Sequence, residues 1–185
     1  MHEFNLLRPV HPKIPRTARS VRWKPPPPGM VKVNFDGAIF STQSSAGLGM
    51  VVRDQAGLVL ATLSQKIPLP TSVETVEVIA ARRALIFALE LDFESVMVVG
   101  DSEIIINTIR EKTLLSSNLG HILEDIHVLS CSFSSISFHH IKRMGNCVAH
   151  RLARRSFCNP LLVWMEEVPP DIVDVYNHNL SLIHE

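Results

Sequence analysis

The chain has 185 residues, of which 46% are hydrophobic and 19% charged. These values fit one globular domain with flanking segments and exclude an intrinsically disordered chain. Lysine plus arginine and aspartate plus glutamate number 18 each, so the formal net charge of zero gives no indication of a nucleic-acid partner.

Residues 1–29 combine prolines with positive charge. Glu3 is the only acid before Gly29, against Arg8, Lys13, Arg16, Arg19, Arg22 and Lys24. The prolines include the run Pro25–Pro28, and such segments favour extended polyproline conformations over a packed core. We interpret 1–29 as a proline-rich basic linker. Two alternatives stay open: an arm that touches phosphates, or a proline-rich ligand for a partner protein.

Three strands follow the linker. Residues 30–40 begin with apolar and polar side chains in alternation, 47–54 form a short apolar run, and 58–66 form a third strand. The turn signal Gln55-Ala56-Gly57 joins the second strand to the third. Links this short predict an antiparallel meander.

Helices and strands then alternate. Thr71 or Ser72 caps a helix to about Glu90, followed by a strand at 95–100, helices at 103–111 and 119–130, a strand at 136–142 and a helix at 146–157. The fourth and fifth strands should join the first in parallel. The predicted fold is therefore α/β, a mixed five-stranded sheet of order β-β-β-α-β-α-α-β-α flanked by helices. It occupies residues 30–160, and 161–185 form a C-terminal tail.

Three carboxylates stand out against this pattern. Asp36 lies in mid-strand, where an unpartnered carboxylate is costly to bury, although a turn acid beside Gly37 is the ordinary alternative. Glu77 lies beside a stripe of small residues on the first helix, although a helix glutamate is usually solvated. Asp101 ends the fourth strand, and its ordinary role would be a helix N-cap.

The predicted topology brings these three side chains to one point. The first strand, the helix packed above it and the end of the parallel fourth strand can all face the same place, at the edge where α/β sheets carry their sites. Clustered carboxylates repel one another unless a cation neutralises them, and hard oxygen ligands suit Mg²⁺. Two such ions about 4 Å apart would activate water and stabilise the leaving oxygen in phosphodiester hydrolysis.

Ordered motifs between Trp23 and Pro160 point to a family. They are WKPPPPGMVKVNFDGA at 23–38, AGLGMVVRDQAG at 46–57, VEV at 76–78, VGDS at 99–102 and IKRMGNCVAHRLAR at 141–154. Together they resemble the reverse-transcriptase-like ribonuclease H domains abundant in plants. The resemblance implies a ribonuclease H fold, a divalent-metal mechanism and an RNA–DNA hybrid substrate.

The resemblance also implies site residues. Asp36 would bridge two ions, Mg²⁺ or Mn²⁺; Glu77 and Asp101 would complete the first site and His150 would border the second. His150 stands where ribonuclease H has a fourth carboxylate, and imidazole brings no negative charge. Weaker candidates for contact with substrate are Gly37, Ser41, Ser102, Arg143 and Asn146. For Arg143 and Asn146, bracing of the loop is an equal alternative.

Two rival functions remain open. One is a catalytically weak or inactive nucleic-acid-binding or interaction domain derived from a retroelement, favoured by the missing fourth acid. The other is a 3′–5′ exonuclease on the same fold. Exonucleases of that group usually carry a paired Asp-x-Glu, whereas this sequence has Asp36-Gly-Ala.

The expected setting of the protein follows from simpler features. The three cysteines include no Cys-x-x-Cys, and no run approaches the roughly 18 apolar residues that a membrane span needs. Prolines and charges interrupt the N-terminus, so it lacks the apolar core of a secretory signal. We expect an intracellular monomer, in nucleus or cytoplasm, with no membrane partner.

Overall fold

A computed structural model of the chain describes residues 23–112 and 117–181. The strands are β1 (Val31–Phe40), β2 (Ser45–Arg53), β3 (Val59–Pro68), β4 (Ser95–Gly100), β5 (Ser135–His140) and β6 (Leu161–Met165). The helices are α1 (Val73–Glu90), α2 (Glu103–Glu111), α3 (Ser117–Ser130), α4 (Cys147–Arg155) and α5 (Val173–Ser181). No helix in the described ranges is long and apolar enough to cross a membrane.

The six strands of the described ranges form one mixed sheet in the order β5-β4-β1-β2-β3-β6. β1, β2 and β3 form the predicted antiparallel meander, and β4 and β5 join β1 in parallel. The α/β fold class and the topology are thus confirmed. The predicted count of five strands differs from the structure. β6 pairs antiparallel with β3 and adds a sixth strand from residues that were expected to form a tail.

Helices cover both faces of the sheet around β2, whose residues are all buried. α1 packs on the face that carries Val33 and Phe35, and α3 packs on α1, so that both helices contribute to the main hydrophobic core. α1 begins at the predicted cap, because the Ser72 side chain accepts a hydrogen bond from the Thr75 backbone N–H. Its buried face includes Ala80, Ala81, Ala84 and Ala88, small side chains that let the helix approach the sheet.

The opposite face is covered by α4 and by the chain that follows it. Val148 and Leu152 of α4 share a second cluster with Val51 and with Ile172, which precedes α5. The last described residues therefore pack onto the sheet, as the apolar side chains after residue 160 allow.

Part of the expected linker also packs onto the domain. The Trp23 ring is 1% exposed and lies 5.0 Å from both Lys32 Nζ and Arg53 Cζ, measured to the ring centroid. Arg53 is itself fully buried and donates through Nη1 to Asn179 Oδ1 at 2.6 Å. The predicted domain boundary at residue 29 was based on the proline run Pro25–Pro28, and it leaves out the large Trp23 ring just before that run. Residues 1–22 of that segment lie outside the described residues.

We expect the two parts of the N-terminal segment to differ in their effect on stability. Deleting residues 1–20 should leave the melting temperature and the hybrid cleavage proposed below unchanged, because those residues have no periodic apolar face. Trp23→Ala should instead lower the free energy of unfolding by about 3–5 kcal/mol, the range for truncating a buried aromatic ring. Chemical denaturation of the three proteins tests this, and equal stability of Trp23→Ala and wild type would contradict it.

Candidate active site

Asp36 and Asp101 are brought together by the parallel pairing of β1 with β4. In that register Asn34 lies opposite Val99, so each aspartate follows two residues later on neighbouring strands. Asp36 is 2% exposed, on the β1 face opposite the buried Val33 and Phe35. Asp101 lies between the end of β4 and the start of α2 and is half-buried.

Glu77 reaches the same point from α1 because Gly37 has no side chain. A Cβ atom at Gly37 would lie 2.7 Å from Val76 Cγ1 and 3.3 Å from Glu77 Oε1. The first distance is a clash with the Val76 side chain, so any other residue would displace that side chain or the helix that carries it. Glycine after the mid-strand aspartate is therefore a packing requirement of the site.

The three carboxylates form a cluster that can hold a metal ion. One oxygen each from Asp36, Glu77 and Asp101 lies within 4.8 Å of the other two. Glu77 Oε2 is buried and has no hydrogen-bond partner among the described residues. Convergent oxygens, one of them unsatisfied, fit a hard divalent cation such as Mg²⁺.

The electrostatics of the cluster agree with this fit. Burial raises the pKa of Glu77 to about 8, and the charges of Asp36 and Asp101 add to the rise. The pKa of Asp101 is also raised, first by burial and then by Asp36, while Arg143 and His150 oppose the rise. Ionisation of all three carboxylates is therefore energetically unfavourable, and a bound cation would offset that cost.

His150 lies at the open side of the cluster. Its Nδ1 is 2.7 Å from Asp36 Oδ2, within hydrogen-bond distance. Arg143 Nη2 lies 3.3 Å from each nitrogen of the His150 ring. The position that the resemblance assigns to a fourth carboxylate thus presents an imidazole and a guanidinium to the triad.

Two further glycines allow α4 to carry His150 this close. A Cβ atom at Gly49 would lie 2.2 Å from Ala149 O, and one at Gly47 would lie 2.1 Å from Ala153 O. α4 therefore rests directly on the β2 backbone. Gly47 and Gly49 belong to one of the sequence motifs, and their spacing of two residues, which puts both on one face of a strand, could have predicted the docked helix.

The weaker candidates are divided between the site and its surroundings. Gly37 and Arg143 line the same cleft of about 250 Å³ as the triad. Asn146 is buried and braces the loop, since its Nδ2 donates to Phe35 O at 2.8 Å and its Oδ1 accepts from Asn34 Nδ2 at 3.0 Å. Ser102 precedes α2 beside Asp101, and its side chain makes no capping hydrogen bond.

Ser41 lies in an adjoining cleft. That cleft, of about 710 Å³, is also lined by Thr42, Phe157 and Arg154. Ile39 and Arg154 line both clefts, which joins them into one groove. Arg154 was missed by the sequence analysis, although it lies four residues, about one helical turn, after His150.

The chain belongs to the reverse transcriptase-like family, whose model matches residues 34–156. Solved structures share its fold. Ribonuclease H1 from the archaeon Halobacterium salinarum NRC-1 is 23% identical, with a TM-score of 0.65 over 70% of this chain and 98% of that one. LC11 ribonuclease H1, from a compost metagenome and solved with an RNA/DNA hybrid, is 24% identical, with a TM-score of 0.61 over 68% and 95%.

A viral enzyme extends the range of these similar structures. The prototype foamy virus protease-reverse transcriptase is 21% identical, with a TM-score of 0.55 over 68% of this chain and 20% of the viral one. No curated protein matches this chain in sequence. At these identities the structures establish the ribonuclease H fold.

The raised pKa of Glu77 predicts how metal-free protein responds to pH. Between its unfolded value of 4.5 and its folded value of about 8, Glu77 keeps its proton only in the folded state. The stability that this group contributes is therefore complete below pH 4.5 and is lost as pH rises towards 8. In EDTA, the free energy of unfolding of wild type should fall between pH 6 and pH 8 by up to about 2 kcal/mol more than that of Glu77→Gln.

Urea titrations of both proteins at the two pH values measure this difference. Comparison with Glu77→Gln cancels the titration of groups that the two proteins share. Equal loss of stability in both would contradict a protonated, buried Glu77.

Proposed function

We propose that the chain is a divalent-metal-dependent endoribonuclease that hydrolyses the RNA strand of RNA–DNA hybrids. The observation that carries the proposal is the convergence of Asp36, Glu77 and Asp101 within 4.8 Å. The family match and the fold shared with ribonuclease H1 support this class of reaction. The LC11 enzyme, whose structure contains an RNA/DNA hybrid, supports the choice of substrate.

In this reaction the three carboxylates would hold two divalent metal ions, either Mg²⁺ or Mn²⁺. Bound there, the ions would activate a water and stabilise the leaving oxygen. The chain itself contributes position and charge. Gly37 lets α1 bring Glu77 to the strand, and Asn146 ties the loop before α4 to β1. Arg143 offers a guanidinium at the mouth of the cleft, where a phosphate would enter.

Recognition of the hybrid would depend on shape. A-like helices expose 2′-hydroxyls and base edges in a wide, shallow minor groove, so a protein can identify RNA without reading its sequence. The groove formed by the two joined clefts presents Ser41, Thr42 and Arg154 beside the triad. Hydroxyl and guanidinium groups of this kind bind sugars and phosphates.

A second candidate function is a catalytically weak or inactive domain, retained from a retroelement, that binds nucleic acid or protein. The observation that favours it is His150, which presents an imidazole where the resemblance expects a fourth carboxylate. This candidate predicts binding of nucleic acid without turnover.

The first test removes one charge from the triad. Asp36→Asn should abolish hybrid cleavage and leave the melting temperature within a few degrees of wild type, because the amide keeps the shape of the carboxylate. Asp92→Asn is the matched control, since Asp92 is exposed and its φ of 58° lies in the left-handed region that asparagine tolerates. Cleavage by Asp36→Asn at the wild-type rate would remove Asp36 from the mechanism.

The second test concerns His150. Because only three carboxylates are present, Mg²⁺ should bind weakly at the second metal position. Mn²⁺ accepts imidazole more readily, so it should support a higher cleavage rate than Mg²⁺ at equal concentration. His150→Asp should raise the Mg²⁺-dependent rate and narrow the gap between the two ions. Titration of both proteins with both metals measures this. A lower rate for His150→Asp in Mg²⁺ would mean that the imidazole has a task of its own.

A further inference from the structure

A separate cleft, of about 550 Å³, lies on the half of the sheet that α4 leaves open. α4 packs on β1, β2 and β3, whereas this cleft is bounded by β4, β5, the start of β1 and the segment before it. Its lining residues are Lys24, Pro25, Lys32, Met97, Val99, His139, His140, Ile141 and Lys142. We call it the lysine cleft. None of the described residues that line it is acidic.

Lys32 is built into the lysine cleft and is not a free surface side chain. The residue is 4% exposed, and its Nζ donates a hydrogen bond to the Lys24 backbone oxygen at 2.6 Å. The Trp23 ring lies against the same ammonium, with Arg53 at 5.0 Å from the ring centroid. No carboxylate among the described residues forms an ion pair with Lys32. A buried ammonium without a counter-charge is costly, and folds seldom keep one without a reason.

The pKa values around the lysine cleft show the same crowding of positive charge. The pKa of Lys32 is lowered to about 8 by burial first and then by Arg53 and Lys24. The pKa of His139 is lowered by burial first and then by Arg110 and Lys32. An anion bound in the cleft would relieve these repulsions.

The lysine cleft and the carboxylate triad share one edge of the sheet. Lys142 is the neighbour of Arg143, and His140 pairs with Gly100, the neighbour of Asp101. Lys32 precedes Asp36 by four residues of β1, a separation of about 13 Å at roughly 3.3 Å per residue. One strand of a duplex presents a phosphate about every 3.4 Å along its axis, so this separation spans at most about four phosphates.

From this arrangement we infer that the lysine cleft binds the phosphate backbone of the same RNA–DNA hybrid, within about four nucleotides of the bond that is cut. The inference depends on the proposed function for the identity of the ligand. An acidic peptide has similar charge, but a nucleic-acid backbone that enters the triad would continue past this edge and reach the lysine cleft. Lys24 and Lys142 contact phosphates from the rim, and Lys32 forms the floor.

The test removes two rim charges without disturbing the buried lysine. Lys24 and Lys142 are both exposed, so Lys24→Gln/Lys142→Gln keeps the Trp23 contacts and the Lys32 hydrogen bond to the backbone. The control is Arg82→Gln/Arg83→Gln, which removes the same charge from α1 on the opposite face of the sheet. Those arginines pair with Asp125 and Glu90, surface ion pairs worth about 0–1 kcal/mol each.

The measured quantity is the salt dependence of hybrid binding by the full-length proteins, in EDTA to prevent cleavage. Fluorescence anisotropy from about 50 to 200 mM salt gives the slope of log K against log salt concentration. Each lost phosphate contact lowers the steepness by roughly 0.7–0.9, so the rim variant should lose about 1.4–1.8. The control variant should keep the wild-type slope.

Three results decide the outcome. A reduced slope in the rim variant alone supports the inference. An unchanged slope overturns it. A poly-glutamate peptide also overturns it if the peptide competes for wild type as well as the hybrid does and loses the same affinity for the rim variant.

Cleavage of the hybrid by wild type in Mg²⁺, measured in parallel, separates this inference from the proposed function. Normal cleavage with an unchanged slope refutes the lysine cleft alone, whereas a reduced slope without cleavage refutes only the nuclease.

Discussion

Repulsion among three carboxylates held within 4.8 Å of one another is the constraint on which the rest of this structure depends. Glu77 Oε2 is buried without a partner, and the pKa of Glu77 is raised to about 8. A fold gains nothing in stability from such an arrangement, since a solvated Glu77 would avoid the cost. The cluster makes physical sense if a cation neutralises it, and it is the basis of the proposed chemistry.

Several packing features serve to maintain this cluster. Gly37 lets α1 approach β1, and Gly47 and Gly49 let α4 rest on β2. Asn146 fastens the loop that leads into α4 by its bonds to Phe35 O and Asn34. The two bonds of Asn146 join residues that are 111 and 112 positions apart in the chain. The geometry of the site is thus set by close backbone approach as much as by the carboxylates themselves.

The sequence predicted the meander, a cap of α1 at Thr71 or Ser72 and the parallel neighbours of β1, because each depends on local periodicity or short links. It predicted the meeting of Asp36 with Asp101 because parallel strands end at one edge. It did not predict β6, because five apolar residues in a row show no alternation and do not distinguish a strand from a packed tail. It also missed the packing of Trp23 against Arg53 and the hydrogen bond of Arg53 to Asn179, because both depend on tertiary structure. The lysine cleft was hidden for the same reason, since Lys24, Lys32 and Lys142 are scattered through a chain of zero net charge.

The most direct test of the proposed chemistry is the cleavage of four matched end-labelled duplexes by purified full-length protein in Mg²⁺. They share one sequence and differ only in their strands: RNA–DNA with either strand labelled, RNA–RNA and DNA–DNA. If the triad acts as a hybrid-specific endoribonuclease, internal cuts should appear in the RNA strand of the hybrid, depend on the metal, and be absent from the other three. Tight binding of the hybrid with no cut in any strand, in Mg²⁺ or in Mn²⁺, would contradict this account and favour a binding domain.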